Sequence, residues 1–311
     1  MTAFLQSAIG AGAAIAIGNF DGVHCGHAAM LRRLRALAEE LNAPAVAITF
    51  DPHPVALLRP ESAPPLLTDL AERVRLLRAS GVDEVAVLAV SQELLQMSPG
   101  EFFDRVIVAE AAAAGLLEGP NFRFGRNRAG DIDYLSARAA EASIRFEVMP
   151  SVDYGGRMIS SSRIRELIGQ GCLQEAVDLL GHPYRICGTV CAGARRGRTI
   201  GFPTANLEAV SNLLPGHAVY GGVSEVAGRR FPVAVSIGPN PTFGEHSTKV
   251  ECHLVGFSGD LYSTQLVVDL LQEIRPLQNF ASVDELVARI QVDVARTIQL
   301  CEDYIAVRPA W

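Results

Sequence analysis

The chain has 311 residues, of which 49% are hydrophobic and 20% charged, and a formal net charge of −7. This is the composition of a folded protein, not a disordered one, its length suggests about two domains of roughly 150 residues, and its acidic balance argues against a general nucleic-acid binder. Mean hydropathy is positive, but the most apolar early stretch, AIGAGAAIAIG at residues 8–18, is shorter than the ~20 residues a spanning helix needs and has no Lys or Arg ahead of it as a secretory leader would. No membrane partner is expected.

In chain order, AIAIGNF reads as a buried strand, and HAAMLRRLRALAEELN as an amphipathic helix ending near Asn42. PAVAITF is a second strand, followed by a helix from about Thr68 to Gly81. EVAVLAV is a third strand, and residues 98–115 form a helix opened by Ser98 and Pro99. LLEG and IRFEVMP supply two further strands, and SSSRIRELIGQG a capped helix. Short apolar runs alternating with helical periods imply α/β organisation with a parallel sheet. After Pro183 the pattern changes to short strand-like runs split by Gly, Pro and Asn: YRICGTV, AVYGGVSEV, RRFPVAVSIG, KVECHLVGF and TQLVVDLLQEI. That spacing predicts an antiparallel barrel or sandwich. Residues 282–305 predict a terminal helix with a Ser282/Glu285 capping box. The expected domains are therefore 1–182 and 183–311.

Ligands of open α/β sheets bind beyond the carboxyl ends of the strands. Three unusual stretches fall there: GNFDGVHCGH after the first strand, DPHP after the second and GPNFRFGRNRAGD after a later one. Gly18 and Gly22 let backbone approach a ligand closely, and the helix that begins near Gly26 offers free amides and a positive dipole end. His24 and His27, three residues apart, lie to one side of the helix start. They can donate to phosphate oxygens or carry a proton into the site. A zinc cluster with Cys25 and a purely structural pair are the competing readings. Ser160, Ser161 and Ser162 open a helix where hydroxyls cap or bind anions, and Arg163 and Arg165 add phosphate-matching forks. The only lysine, Lys249, is not in a GxxxxGK context, so any phosphate chemistry proceeds without a Walker lysine.

HxGH after a first strand together with ISSxxIR before a late helix resembles the nucleotidyltransferase superfamily. The fuller set GNFDGVHCGH, FDPHP, NFRFG and ISSSRIR resembles the adenylyltransferase module of bifunctional riboflavin kinase/FAD synthetases, and GRTIGFPTAN, IGPNPTFGE and KVECHL resemble that family's kinase module. The likeness is collinear over nearly the whole chain. It differs at Asn121, where the family often has Asp, at Ser162, where it often has Thr, and at Gly256, where it commonly has Asp. The resemblance implies a Rossmann-like nucleotidyltransferase domain followed by a β-barrel kinase domain with a terminal helix. It further implies a cytoplasmic enzyme, monomeric or weakly self-associating, acting on ATP, riboflavin and FMN with Mg²⁺.

The residues fit such chemistry. GARRGRTIG at 193–201 offers Gly193, Gly201, Arg195, Arg196 and Arg198 for an anion nest. Thr204 and Asn206 carry hard oxygen ligands suited to Mg²⁺. Along KVECHL, Glu251 and His253 face one way and Val250, Cys252 and Leu254 the other. The resemblance makes Glu251 the base on the riboflavin 5′-hydroxyl and places Thr204 and Asn206 at Mg²⁺–ATP. In the first half, Gly18, Asn19, Phe20, Gly22, Gly26, Ser160, Ser161, Ser162 and Arg165 become candidates for ATP phosphates, with His24 and His27 catalytic. Asp51, His53, Asn121, Phe122 and Arg123 become candidates for flavin. Two rival functions remain open: an adenylyltransferase for another phosphorylated substrate with a C-terminal binding module, and a non-catalytic flavin or nucleotide sensor. All six cysteines lack CxxC spacing, which favours free thiols.

Overall fold

The computed structural model describes residues 4–5, 12–193, 196–240 and 245–307. The chain divides into two compact units, residues 1–160 and 161–311.

In the first unit, β1 (Ala14–Gly18), β2 (Ala45–Asp51), β3 (Glu84–Ala89), β4 (Gly115–Glu118) and β5 (Arg145–Val148) form one sheet in the order β3-β2-β1-β4-β5. Every pairing is parallel. Ile15 and Ile17 face one core layer, with Val46, Ile48, Phe103 and Val106, while Ala14 and Ala16 face another, with Leu31, Leu34 and Leu77. Both faces of the sheet are covered, which is why its strands read as continuous apolar runs. The helices are α1 (Cys25–Leu41), α2 (Pro54–Leu58), α3 (Leu70–Ala79), α4 (Gln92–Gln96), α5 (Pro99–Phe102) and α6 (Ile132–Glu141). α1 buries Leu31, Leu34, Leu37 and Ala38 and ends on Asn42 in the left-handed conformation, φ 52°. A two-strand hairpin, β6 (Asp153–Tyr154) and β7 (Arg157–Met158), follows β5.

Four sequence expectations are corrected here. α3 starts at Leu70, because the Asp69 side chain, not that of Thr68, accepts the Glu72 amide. α5 has its Ser98–Glu101 capping box but continues as a π-helical stretch, Phe103–Glu110, and stops short of residue 115. α6, capped by Asp131, connects β4 to β5 where no helix was expected; it buries only Leu135 and Ala139, so its apolar period is faint. The short α2 and α4 also went unread.

The second unit contains α7 (Ser161–Gly169), α8 (Leu173–Leu180), β8 (Tyr184–Cys191), α9 (Arg196–Thr199), β9 (Ala205–Glu208), β10 (Ala218–Val226), β11 (Arg229–Asn240), β12 (Glu245–Leu254), β13 (Gln265–Pro276) and α10 (Val283–Val307). Its strands close into a barrel, order β10-β11-β12-β9-β8-β13, antiparallel throughout. Closure decides between the barrel and the sandwich. β8 alternates buried and half-buried residues along its whole length, and Val233, Val235, Ile237, Cys252 and Val268 fill the interior. The strand β9 within PTANLE was not expected. α10 lies against β10, β11 and β13. A Cβ on Gly221 would stand 2.7 Å from Leu300 Cδ2, so the glycine admits the helix, and Arg275 anchors it through a buried ion pair to Asp293 at 2.8 Å. The α10 capping box is shifted by one residue: the Ser282 hydroxyl accepts the Glu285 amide, but the Glu285 carboxylate reaches the amide of Ala281. α7 and α8 fall in this second unit, whereas the expected division lay at 182/183.

Candidate functional site

The sheet order reverses between β1 and β4, and a cleft of about 240 Å³ opens there. It is the topological switch point where ligands of this architecture bind. Its walls come from the end of β1 (Ile17, Gly18, Phe20), the start of α1 (His24, Gly26, His27), the segment after β4 (Gly119, Asn121, Phe122) and the segments around the hairpin (Met149, Val152, Ile159).

The loop after β1 is built to present the two histidines. Phe20 and Gly22 both take positive φ, 47° and 83°. The buried Asp21 carboxyl accepts from the amides of Leu67 and Thr68 and from the Thr68 hydroxyl, at 2.9–3.1 Å. It ties the loop to the residues ahead of α3. Asp21→Ala would strand two buried amides at a cost of about 3 kcal/mol; thermal unfolding should show a transition lowered by several degrees, and an unshifted transition would refute the anchoring role.

His24 caps α1. Its Nδ1 accepts the His27 amide at 3.3 Å, so its ring proton resides on Nε2. The two rings stack, with centroids 3.6 Å apart and planes 13° from parallel. The edge of Phe20 meets His27 at 5.2 Å. A Cβ on Gly26 would press the His24 ring at 3.1 Å, which explains the glycine between the histidines. His27 Nδ1 is buried without a partner. Burial first, and the neighbouring His24 second, hold the His27 pKa well below the usual histidine value. Of the two roles open to it in the sequence, the free protein therefore supports a neutral ring N–H, not a resident imidazolium. Among the described residues no group of three or more His, Cys, Asp or Glu is placed to hold a metal.

A residue the sequence reading missed joins them. Glu118, the last residue of β4, is 1% exposed and lines the cleft. Its Oε1 accepts the Ile17 amide at 2.9 Å. Burial pushes its pKa well above the usual carboxylate range, against the opposing effect of the Ile17 bond. A charged residue type inside the apolar run LLEG was the available signal.

The other first-half candidates are sorted by the structure. Asn121 and Phe122 line the cleft. Phe124 instead packs into the core, 5% exposed. Arg123 pairs with Asp131 at 3.1 Å and is not in the cleft wall. Asn19 is exposed, and its carbonyl accepts the Thr49 hydroxyl. Gly22 is buried against Thr68. His53 caps α2 through the Val55 amide, with Asp51 two residues before it at the end of β2. Neither Asp51 nor His53 lines the cleft. Ser160 follows the cleft residue Ile159 in the chain, and Ser161, Ser162 and Arg165 open α7. Arg163, on the same helix, pairs with Glu175 at 3.0 Å.

In the barrel, Glu251 of β12 stands directly opposite Asn206 of β9. Cys252 and Val250 are buried inside while Glu251 and His253 are half-buried on the outer side, as the alternation required. His253 Nδ1 meets the Pro203 carbonyl at 2.8 Å, and its ring packs edge-on to Phe202 at 5.5 Å. Its task is to hold the turn before β9. Two glycines hollow the neighbouring surface. A Cβ on Gly193 would collide with the Asn206 amide at 2.1 Å, and one on Gly197 with the Phe202 carbonyl at 2.3 Å, only 3.5 Å from Thr204 Oγ1. Gly201 turns the chain at φ 88°, beside exposed Arg198. Arg195, residues 241–244 of IGPNPTFGE, and the side chains of Arg196, Asn240 and Glu245 lie outside the described residues.

One unit thus carries a cleft at the switch point of a parallel α/β sheet, and the other a closed barrel with a glycine-lined surface beside Asn206. Residues 6–163 match the FAD synthetase family and residues 180–301 the riboflavin kinase family. The bifunctional riboflavin kinase/FMN adenylyltransferase of Pseudomonas fluorescens is 38% identical over 91% of each chain. That of Escherichia coli K12 is 36% identical over 91% of this chain and 90% of its own. A crystal structure of a Streptococcus pneumoniae protein, described as a macrolide-efflux protein, superposes with a TM-score of 0.82 at 29% identity, covering 94% of this chain and 96% of that one. The chain belongs to the bifunctional riboflavin kinase/FMN adenylyltransferase family.

Proposed function

We propose that the switch-point cleft is where FMN is adenylylated and that the barrel rim around Asn206 and Glu251 is where riboflavin is phosphorylated. The protein has riboflavin kinase and FMN adenylyltransferase activity; the proposal assigns its residues to the two steps. One contrast carries it: the cleft's carboxyl, Glu118, is buried and already accepts the Ile17 amide, while Glu251 of the barrel is half-buried on the outer side of β12, opposite the hard oxygen ligand of Asn206. The two steps require that difference. Riboflavin's 5′-alcohol holds its proton at neutral pH and needs a base. The FMN phosphate, with a second pKa near ~6, is already largely ionised. It needs positioning and charge neutralisation.

Glu251 is accordingly the base on the 5′-hydroxyl. Thr204 and Asn206 would hold Mg²⁺, supplying Lewis-acid neutralisation of the ATP phosphates. Their hard oxygens and the hollow left by Gly193 and Gly197 fit such an ion. Gly193, Arg198 and Gly201 surround the phosphates. In the cleft, His24 and His27 donate to ATP phosphates and steady the departing pyrophosphate. Gly18 and Gly26 give the phosphates room, Asn121 and Phe122 face the flavin, and Ser160 adds an anion contact; Ser161, Ser162 and Arg165, at the start of α7, are the remaining candidates for ATP phosphates. The functional domains run 1–182 and 183–311. The six free thiols fit a reducing cytoplasm, where a monomer or weak homo-oligomer works without nucleic-acid or membrane partners.

Chromatography of products from riboflavin, ATP and Mg²⁺ tests the assignment: FMN should appear first and FAD second. Turnover of phosphopantetheine or nicotinamide mononucleotide in place of FMN would overturn it, as would binding without turnover. Gly193→Ala should displace Asn206 and cut FMN formation by about 100-fold, while supplied FMN is still converted to FAD; an unchanged kinase rate would exclude the cradle.

A further inference from the structure

β1 and β4 pair only through Ala14–Gly115 and Ile15–Leu116 before they diverge at the switch point. The Ile17 amide is thereby released from the ladder, and the Glu118 side chain, not backbone, receives it. That bond uses one carboxyl oxygen. Among the described residues no protein group meets the other, and Glu118 lines a cleft whose walls include the apolar Ile17, Phe122, Met149 and Val152 as well as His24, His27 and Asn121. A cap alone needs only one acceptor, and an ionised carboxylate would repel the polyanion that enters this cleft. In its protonated form, which burial favours, a carboxyl with one oxygen already accepting has a single O–H left to give. Apolar, partly aromatic walls around one such donor suit a flat heterocycle rather than a phosphate.

We propose that Glu118 donates this O–H to an acceptor atom on a planar nucleotide ring bound in the cleft, either an adenine ring nitrogen of ATP or a flavin ring nitrogen or carbonyl of FMN. The inference rests on assigning FMN adenylylation to this cleft. If the wild-type protein fails to adenylylate FMN, that assignment fails; if it turns over and Glu118 has no effect, the inference alone fails.

The test uses the full chain, with ATP and FMN varied separately. Glu118→Leu should raise one KM on the order of tenfold and leave kcat within about twofold, whereas Glu118→Gln, which keeps a donor and an acceptor, should recover most of the loss. A rise confined to ATP places the acceptor on adenine; one confined to FMN places it on flavin. Unchanged KM values, or Glu118→Gln as defective as Glu118→Leu, would overturn the proposal. Infrared difference spectra give a second readout should Glu118→Leu not fold. A protonated-carboxyl band that shifts when a non-hydrolysable ATP analogue or FMN is added, and is missing from Glu118→Gln, supports the bond. A band unmoved by both ligands refutes it.

Discussion

Replacing His27 with alanine is expected to abolish FAD formation while FMN still accumulates from riboflavin at the wild-type rate. The ring lines the switch-point cleft, stacks on His24 and is kept neutral by burial. It can therefore give a hydrogen bond to phosphate without first paying to hold a charge. When pyrophosphate leaves, negative charge grows on its bridging oxygen, and a donor already in place stabilises that charge in a site of low dielectric. Loss of one such donor typically lowers kcat by about 10²–10³-fold, so residual FAD should sit near the detection limit of chromatography. The residues proposed for the kinase step belong to the other compact unit. Equal loss of both products in a folded variant would refute the separation of roles.

Glu251→Ala should give the mirror image. FMN formation should fall by about 10²–10⁴-fold, the range of general-base catalysis, while supplied FMN is still adenylylated. The side chain stands on the outer side of β12, opposite Asn206 and beside the hollow of Gly193 and Gly197. Normal riboflavin phosphorylation in the variant would remove Glu251 from the base role. A mixture of the two variants should make FAD again, provided FMN passes through solution.

Much of this was legible in the chain because its signals are local. Strand β1, helix α1 and the closing Asn42 follow from apolar spacing and from a residue tolerant of left-handed geometry. The placement of His24, His27 and Asn121 at one cleft follows from strand order. What stayed hidden depends on partners far away in sequence. β9 is four residues long, contains Asn206 and becomes a strand only because β8 and β12 flank it. α6 is rich in Ala and Ser and buries too few large side chains to declare itself. Asp21 looked like part of a ligand loop, yet its carboxyl is spent on amides 46 and 47 residues away. Glu118 reads as the polar end of a strand, and only the divergence of β1 from β4 shows why it is buried.

Closure of the barrel also sets a parity rule for the chain. Every strand has two neighbours, so β12 has no free edge along which to slide. Inserting or deleting one residue ahead of Glu251 within that strand would exchange it with Cys252, sending a carboxylate into the barrel interior and a thiol to the rim. A change of two residues would preserve the inside–outside order. Length variation within β12 should therefore be confined to even steps, with odd ones tolerated only in the loops that bound it.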